Sequence, residues 1–275
     1  MSIKLLALDL DGTIFHDDLT VSDRTRKAIT AAQEAGVIVA IATGRMYRSA
    51  LAIAADLNIN GPMICYQGAM IKDVVTGETL LHTTVPRSLM HEIISATSKA
   101  GLHLNIYLND ELFVEKITPE GQFYAQINLD LKLNVVGDLS NWLNSLGTAE
   151  ATKAVIVTDP SQTDAVLEEY SALFGTRLQV TKSHPKFTEF TNIDSSKGKA
   201  LAQLAAHYNM EQADVMAIGD GLNDLDMIEW AGWGVAMENS PQSVRDTARV
   251  VCLTISQDGA ADAIERYILA PLTAR

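Results

Sequence analysis

Three short apolar runs, residues 3–8, 37–42 and 215–218, each stop abruptly at a polar motif. Runs of this length are strand-sized, and apolar runs alternating with helical patterns describe parallel strands covered on both faces. The motifs that follow them are Asp9-Leu10-Asp11-Gly12-Thr13, Thr43-Gly44-Arg45 and Gly219-Asp220-Gly221-Leu222-Asn223-Asp224. In an open parallel sheet, ligands collect at the carboxyl ends of the strands, so three distant motifs can meet in one crevice. A fourth motif, Ser196-Lys197-Gly198-Lys199, offers a lysine to it.

The chain between these motifs has two grammars. Residues 3–66 read as strand, helix, strand, helix, strand, with Ser22 as a helix start and Ala28, Ile29, Ala32 and Ala35 at helical spacing before Gly36. A hairpin pattern follows, divided at Thr76-Gly77, and Pro86 opens another helix. Residues 86–186 then run helix, strand, strand, helix, strand, helix, strand, and contain none of the four motifs. The first grammar returns after Phe187. The expected architecture is α/β: residues 1–85 and 187–275 form a Rossmann-like core with a parallel sheet, and 86–186 an inserted α/β domain that covers it.

Composition narrows the partners. The chain has 275 residues, 47% of them hydrophobic, enough for a substantial core. Its formal net charge of −13 argues against a nucleic-acid backbone, whose binding needs a basic face. An anionic substrate would need locally placed cations, and Arg45 and Lys197 are at hand. No stretch reaches the roughly 18 apolar residues of a membrane span, and Asp9 interrupts the first apolar run too early for a signal peptide. A cytoplasmic location is therefore expected. Cys65 and Cys252 both lie in apolar runs, where a thiol behaves as a small hydrophobe. Oligomeric state leaves no signal in the sequence.

The motifs describe phosphate chemistry. Asp9 and Asp11 are two residues apart, so an extended backbone turns both carboxylates to one side. At about 4 Å and an effective dielectric of about 20, their repulsion is on the order of 4 kcal/mol, which a divalent cation removes. Oxygen ligands beside a phosphate favour Mg2+. A calcium loop does not fit: counting from Asp9, its glycine and glutamate positions fall on Ile14 and Thr20. Asp220, with Asn223 and Asp224 close behind, supplies a second half for the metal site. Thr43 and Gly44 suit a phosphate oxygen, through a hydroxyl and backbone N–H groups at a helix start. Arg45 either joins them or pairs with a carboxylate. Ser195 or Ser196 is a natural helix cap, and Lys197 in the first turn could neutralise Asp9 and the transferring phosphoryl group. The six histidines form no closely spaced ligand pair.

In order and content these motifs resemble the haloacid dehalogenase-like hydrolase superfamily, and the inserted segment resembles the C2B cap of its Cof-type (IIB) phosphatases. Residues 236–240 and 258–261 are similar to that subfamily's closing segments. The resemblance implies a Mg2+-dependent phosphatase acting on small phosphorylated metabolites such as sugar phosphates. It implies that Asp9 is the nucleophile, forming an aspartyl-phosphate, and that Asp11 is the acid and then the base. It implies Asp9, the backbone carbonyl of Asp11 and Asp220 as metal ligands, and Thr43 and Lys197 as phosphate ligands, with Gly12, Asn223 and Asp224 in support. Two departures stand out: Gln67 replaces a common asparagine, and Glu238 a common glycine. A phosphomutase shares the core, and a protein that only binds a phosphometabolite is the non-catalytic alternative.

Overall fold

A computed structural model describes residues 3–16, 20–128 and 131–273. The chain forms two compact units, Met1–Leu81 with Ser196–Arg275, and His82–Ser195. It opens with β1 (Leu5–Leu8), α1 (Asp23–Glu34), β2 (Ile38–Ala42), α2 (Tyr47–Asp56), β3 (Met63–Cys65), β4 (Met70–Lys72) and β5 (Thr79–His82). The second unit follows with α3 (Arg87–Ala100), β6 (His103–Leu108), β7 (Glu111–Val114), α4 (Pro119–Ile127), β8 (Leu133–Val135), α5 (Leu139–Ser145), β9 (Lys153–Val157), α6 (Pro160–Phe174), β10 (Leu178–His184) and β11 (Phe187–Asn192). The first unit is completed by α7 (Lys197–His207), β12 (Val215–Gly219), α8 (Leu225–Trp230), β13 (Trp233–Ala236), α9 (Gln242–Thr247), β14 (Val250–Val251) and α10 (Gly259–Ile264).

The first sheet has the order β14-β13-β12-β1-β2-β3-β4-β5. Pairing is parallel from β14 to β3 and antiparallel between β3 and β4. Strand order reverses at β1, with β2 on one side and β12 on the other, which makes the carboxyl edge there the expected ligand crevice. Leu5 to Leu8 are all fully buried. Leu5 and Ala7 face a core shared with Leu201 and Leu204 of α7 and Met227 and Ile228 of α8. Leu6 and Leu8 point the other way and are equally buried, the mark of a strand covered on both faces. Register places Leu8 beside Ile41 and Ile218, so Asp9, Thr43 and Asp220 follow at one edge.

The second sheet has the order β10-β11-β9-β6-β7-β8 and is antiparallel except between β7 and β8. One face packs on α3, α5 and α6 through Ile93, Leu143, Tyr170, Phe174 and Phe190. The other carries a buried Lys153–Glu189 ion pair at 2.7 Å and a Tyr107–Tyr124 hydroxyl hydrogen bond to α4 at 2.7 Å.

Two expectations change here. The strand after Phe187, read from the sequence as part of the first unit, is β11 and pairs with β9 and β10 of the second sheet. Its Phe190 sits edge-on to Tyr170 and Phe174 in the second core. Between β7 and β9, where the sequence reading has one helix, lie α4, β8 and α5. Cys65 and Cys252 are both buried thiols, with no disulfide between them. Among the described residues, no helix is long and apolar enough to cross a membrane.

Candidate active site

The ion cluster at the carboxyl edge is built around Lys197. Ser196 caps α7, its hydroxyl accepting from the Lys199 N–H, and Lys197 is the first helical residue. The lysine is buried, with Nζ 2.6 Å from Asp9 Oδ1 and 2.5 Å from Asp224 Oδ1. Burial works against its charge, but Asp224 and Asp9 outweigh that and hold its ammonium above the ordinary lysine range. Asp9 follows β1 directly and is 5% exposed. Burial first, then the Asp224 charge, pushes its carboxyl well above the usual range despite the lysine.

Asp220 completes the acidic group. One carboxylate oxygen each from Asp9, Asp220 and Asp224 lies within 4.8 Å of the others. Its carboxyl is pushed up to about 7, by burial and then by Asp224. Gly12 makes room for it, since a Cβ there would stand 2.3 Å from Asp220 Oδ2. Asp224 acts as a brace: its Oδ2 accepts from the Asp220 N–H at 3.1 Å and the Gly221 N–H at 2.9 Å.

Asp11 is placed differently from the sequence expectation. The extended strand ends at Leu8, and the N–H groups of Thr13, Ile14 and Phe15 all turn back to the Leu10 carbonyl. The run of extended backbone that would set the two carboxylates side by side is therefore broken between them. The Asp11 carboxylate lies outside the acidic group and receives two hydrogen bonds from Arg45, Nη2 to Oδ1 at 2.6 Å and Nε to Oδ2 at 2.9 Å. Of the two partners expected for Arg45, the carboxylate is the one it contacts here.

Thr43 and Gly44 follow β2, but the helix they were expected to begin starts only at Tyr47. Their loop is held instead by a turn at Tyr66–Gly68. The Gln67 N–H donates to the Thr43 carbonyl at 3.2 Å, and the Tyr66 N–H to the Arg45 carbonyl at 3.0 Å. The Asn223 amide donates to Gln67 Oε1 at 3.1 Å. Thr43, Gly44, Lys197, Asp9, Asp220, Asn223 and Asp224 thus meet at one edge. Sequence reasoning missed the bracing roles of Asp224 and Gln67. Three successive left-handed residues, Tyr66, Gln67 and Gly68 (φ 53°, 57° and 93°), mark that turn as strained. Its non-glycine members carry no local sequence signal for such a conformation.

The model of the haloacid dehalogenase-like hydrolases matches residues 6–264. The chain belongs to this family. A Bacillus subtilis member, 5-amino-6-(5-phospho-D-ribitylamino)uracil phosphatase YcsE, is 30% identical over 98% of this chain and 97% of its own length. Phosphatase YwpJ of the same organism is 27% identical over 97% of this chain and its own full length. A family hydrolase from Bacteroides thetaiotaomicron, known from its crystal structure, superposes with a TM-score of 0.85 at 29% identity, covering 96% of this chain and 99% of that one. Within the family the protein is a hydrolase of the phosphatase type.

Proposed function

We propose that the protein is a Mg2+-dependent phosphatase that hydrolyses small phosphate monoesters of sugars or polyols through a phosphoenzyme on Asp9. The observation that carries this reading is the buried lysine clamped between Asp9 and Asp224 beside Asp220. Three carboxylates crowded at a strand end, two of them with raised pKa, are a donor set that fits a divalent cation. Both Asp224 oxygens are engaged by Lys197 and two N–H groups, so Asp9 and Asp220 are the carboxylates that would hold the cation, and the family resemblance adds the backbone carbonyl of Asp11 to them. When bound, the cation supplies charge neutralisation at the phosphoryl oxygens.

Asp9 attacks phosphorus, the bond to the leaving oxygen breaks, and Asp11 gives that oxygen a proton. Asp11 then takes a proton from the water that attacks the aspartyl-phosphate, releasing phosphate and regenerating Asp9. Lys197, the Thr43 hydroxyl and the Gly44 N–H hold the equatorial oxygens as charge shifts between them. The proposed ester class agrees with the ribityl phosphate in the name of the Bacillus subtilis relative.

The test is phosphate release from a panel of sugar and polyol phosphates, with and without Mg2+, for the native protein and Asp9→Asn. Metal-dependent release that disappears in the variant is the expected result. Full activity of Asp9→Asn would overturn the mechanism, and isomerised product without release would make the protein a mutase.

A further inference from the structure

Arg45 is one of the most firmly held side chains at the site. Its side chain is 11% exposed, whereas that of the Asp11 it binds is 52% exposed. Its own N–H donates to Thr43 Oγ1 at 3.1 Å and its carbonyl accepts from the Tyr66 N–H at 3.0 Å. The guanidinium lies 5.9 Å from the Phe15 ring centre, and Phe15 is a buried residue of the turn that carries Asp11. From this anchored base, Nε and Nη2 reach both oxygens of one carboxylate. A two-pronged guanidinium contact fixes the plane of a carboxylate as well as its position.

We infer that Arg45 is the positioning residue for Asp11 and is not a phosphate ligand. The inference rests on the proposed acid–base role of Asp11. Asp11 sits on a turn, half in solvent, where an aspartate without a partner samples several rotamers. One of the directions open to it is toward Asp220, whose carboxyl already feels the Asp11 charge. The arginine fork selects one arrangement, with the carboxylate outside the group formed by Asp9, Asp220 and Asp224. Acid–base groups are effective only within hydrogen-bond reach of their proton, so orientation converts directly into rate. The phosphoryl oxygens have other partners in Thr43, Gly44 and Lys197, whereas two prongs of Arg45 are engaged with Asp11.

Leaving-group chemistry separates the two roles. An alkyl phosphate needs a proton on its departing oxygen, while p-nitrophenyl phosphate departs as a stable anion and needs none. Arg45→Ala is expected to lower kcat/KM for glucose 6-phosphate about 10- to 100-fold, part of what general acid catalysis contributes, and for p-nitrophenyl phosphate less than about 5-fold. The inhibition constant of inorganic phosphate should stay within about 2-fold. Arg45→Lys, which keeps the charge but not the fork, should fall between native and Arg45→Ala on the alkyl ester. In an Asp11→Asn background, Arg45→Ala should add less than about 3-fold, because both changes remove the same step. Equal losses on both esters with weaker phosphate inhibition, no loss on either, or full additivity with Asp11→Asn would each overturn the inference. Asp11→Asn alone tests the underlying reading: without a stronger loss on the alkyl ester, Asp11 is not the acid, whatever Arg45 does.

Discussion

Lys197 neutralises two buried carboxylates. Lys197→Met leaves Asp9 and Asp224 buried without their cation, a change that costs about 3–5 kcal/mol. Urea melts at pH 8 should show that loss, and melts at pH 5 a smaller one, because the raised Asp9 carboxyl can take up a proton. The same sign governs the native protein free of metal. An acid whose folded pKa is raised binds more protons folded than unfolded, so its contribution to stability is present at low pH and is lost as pH climbs. For Asp220 the window runs from about 4, the unfolded value, to about 7, with at most a few kcal/mol at stake. A divalent cation relieves the repulsion that remains. Mg2+ should therefore raise the melting temperature more at pH 8 than at pH 5, and Asp220→Asn should abolish the difference. A shift of equal size at both pH values would count against the acidic group as the metal site. Asp9, Thr43 and Asp220 were legible because their motifs follow apolar runs, and Lys197 because it stands just inside a helix cap. The partner of Asp11 was not, because the turn at Leu10 that carries it leaves no periodic trace.

The elements that align the site do so by backbone contact. The turn at Tyr66–Gly68 joins the Thr43–Arg45 loop to the start of α7, and Gly68 is its point of closest approach. With φ at 93°, and with the place of a Cβ 2.1 Å from the Ser196 carbonyl oxygen, no side chain fits there. Gly68→Ala carries about 1–3 kcal/mol of backbone strain and also pushes against the residue that precedes Lys197. Turnover should fall further than stability accounts for. Ser196→Ala is the contrast, since it removes only the cap of α7 at about 1 kcal/mol and displaces nothing. Paired melts and rates of the two variants decide the matter, and proportional losses in both would mean that the turn does not align Lys197. The parallel strands themselves were legible because all-buried runs are distinctive. The helix after β2 was placed too early: Thr43 and Gly44 look like a helix start, yet tertiary hydrogen bonds from Tyr66 and Gln67 hold them as a loop until Tyr47.

The chain is a largely parallel sheet interrupted once, after its edge strand β5, by a segment with its own sheet and core. The ends of that segment are tied together, the Asn192 amide donating to the Thr84 carbonyl at 2.7 Å. A continuous stretch with a buried core and adjoining ends has what an independent folding unit needs. The fragment His82–Ser195 is expected to unfold cooperatively on its own. Its Lys153–Glu189 pair gives a way to address it inside the intact protein: Lys153→Met strands a buried carboxylate at about 3–5 kcal/mol, and should lower one unfolding transition while leaving the other in place. Calorimetry of the intact variant would read this directly, and a single transition moving as a whole would mean that the units unfold together. The existence of this second unit could be read from the absence of motifs over a long α/β stretch. Its last strand could not, because β11 is assigned by its pairing with β9 and β10 and by the burial of Phe190 against Tyr170 and Phe174, contacts that no local pattern encodes. The apolar residues of β11 therefore serve the core of the inserted unit, and the first sheet resumes only with the helix that carries Lys197.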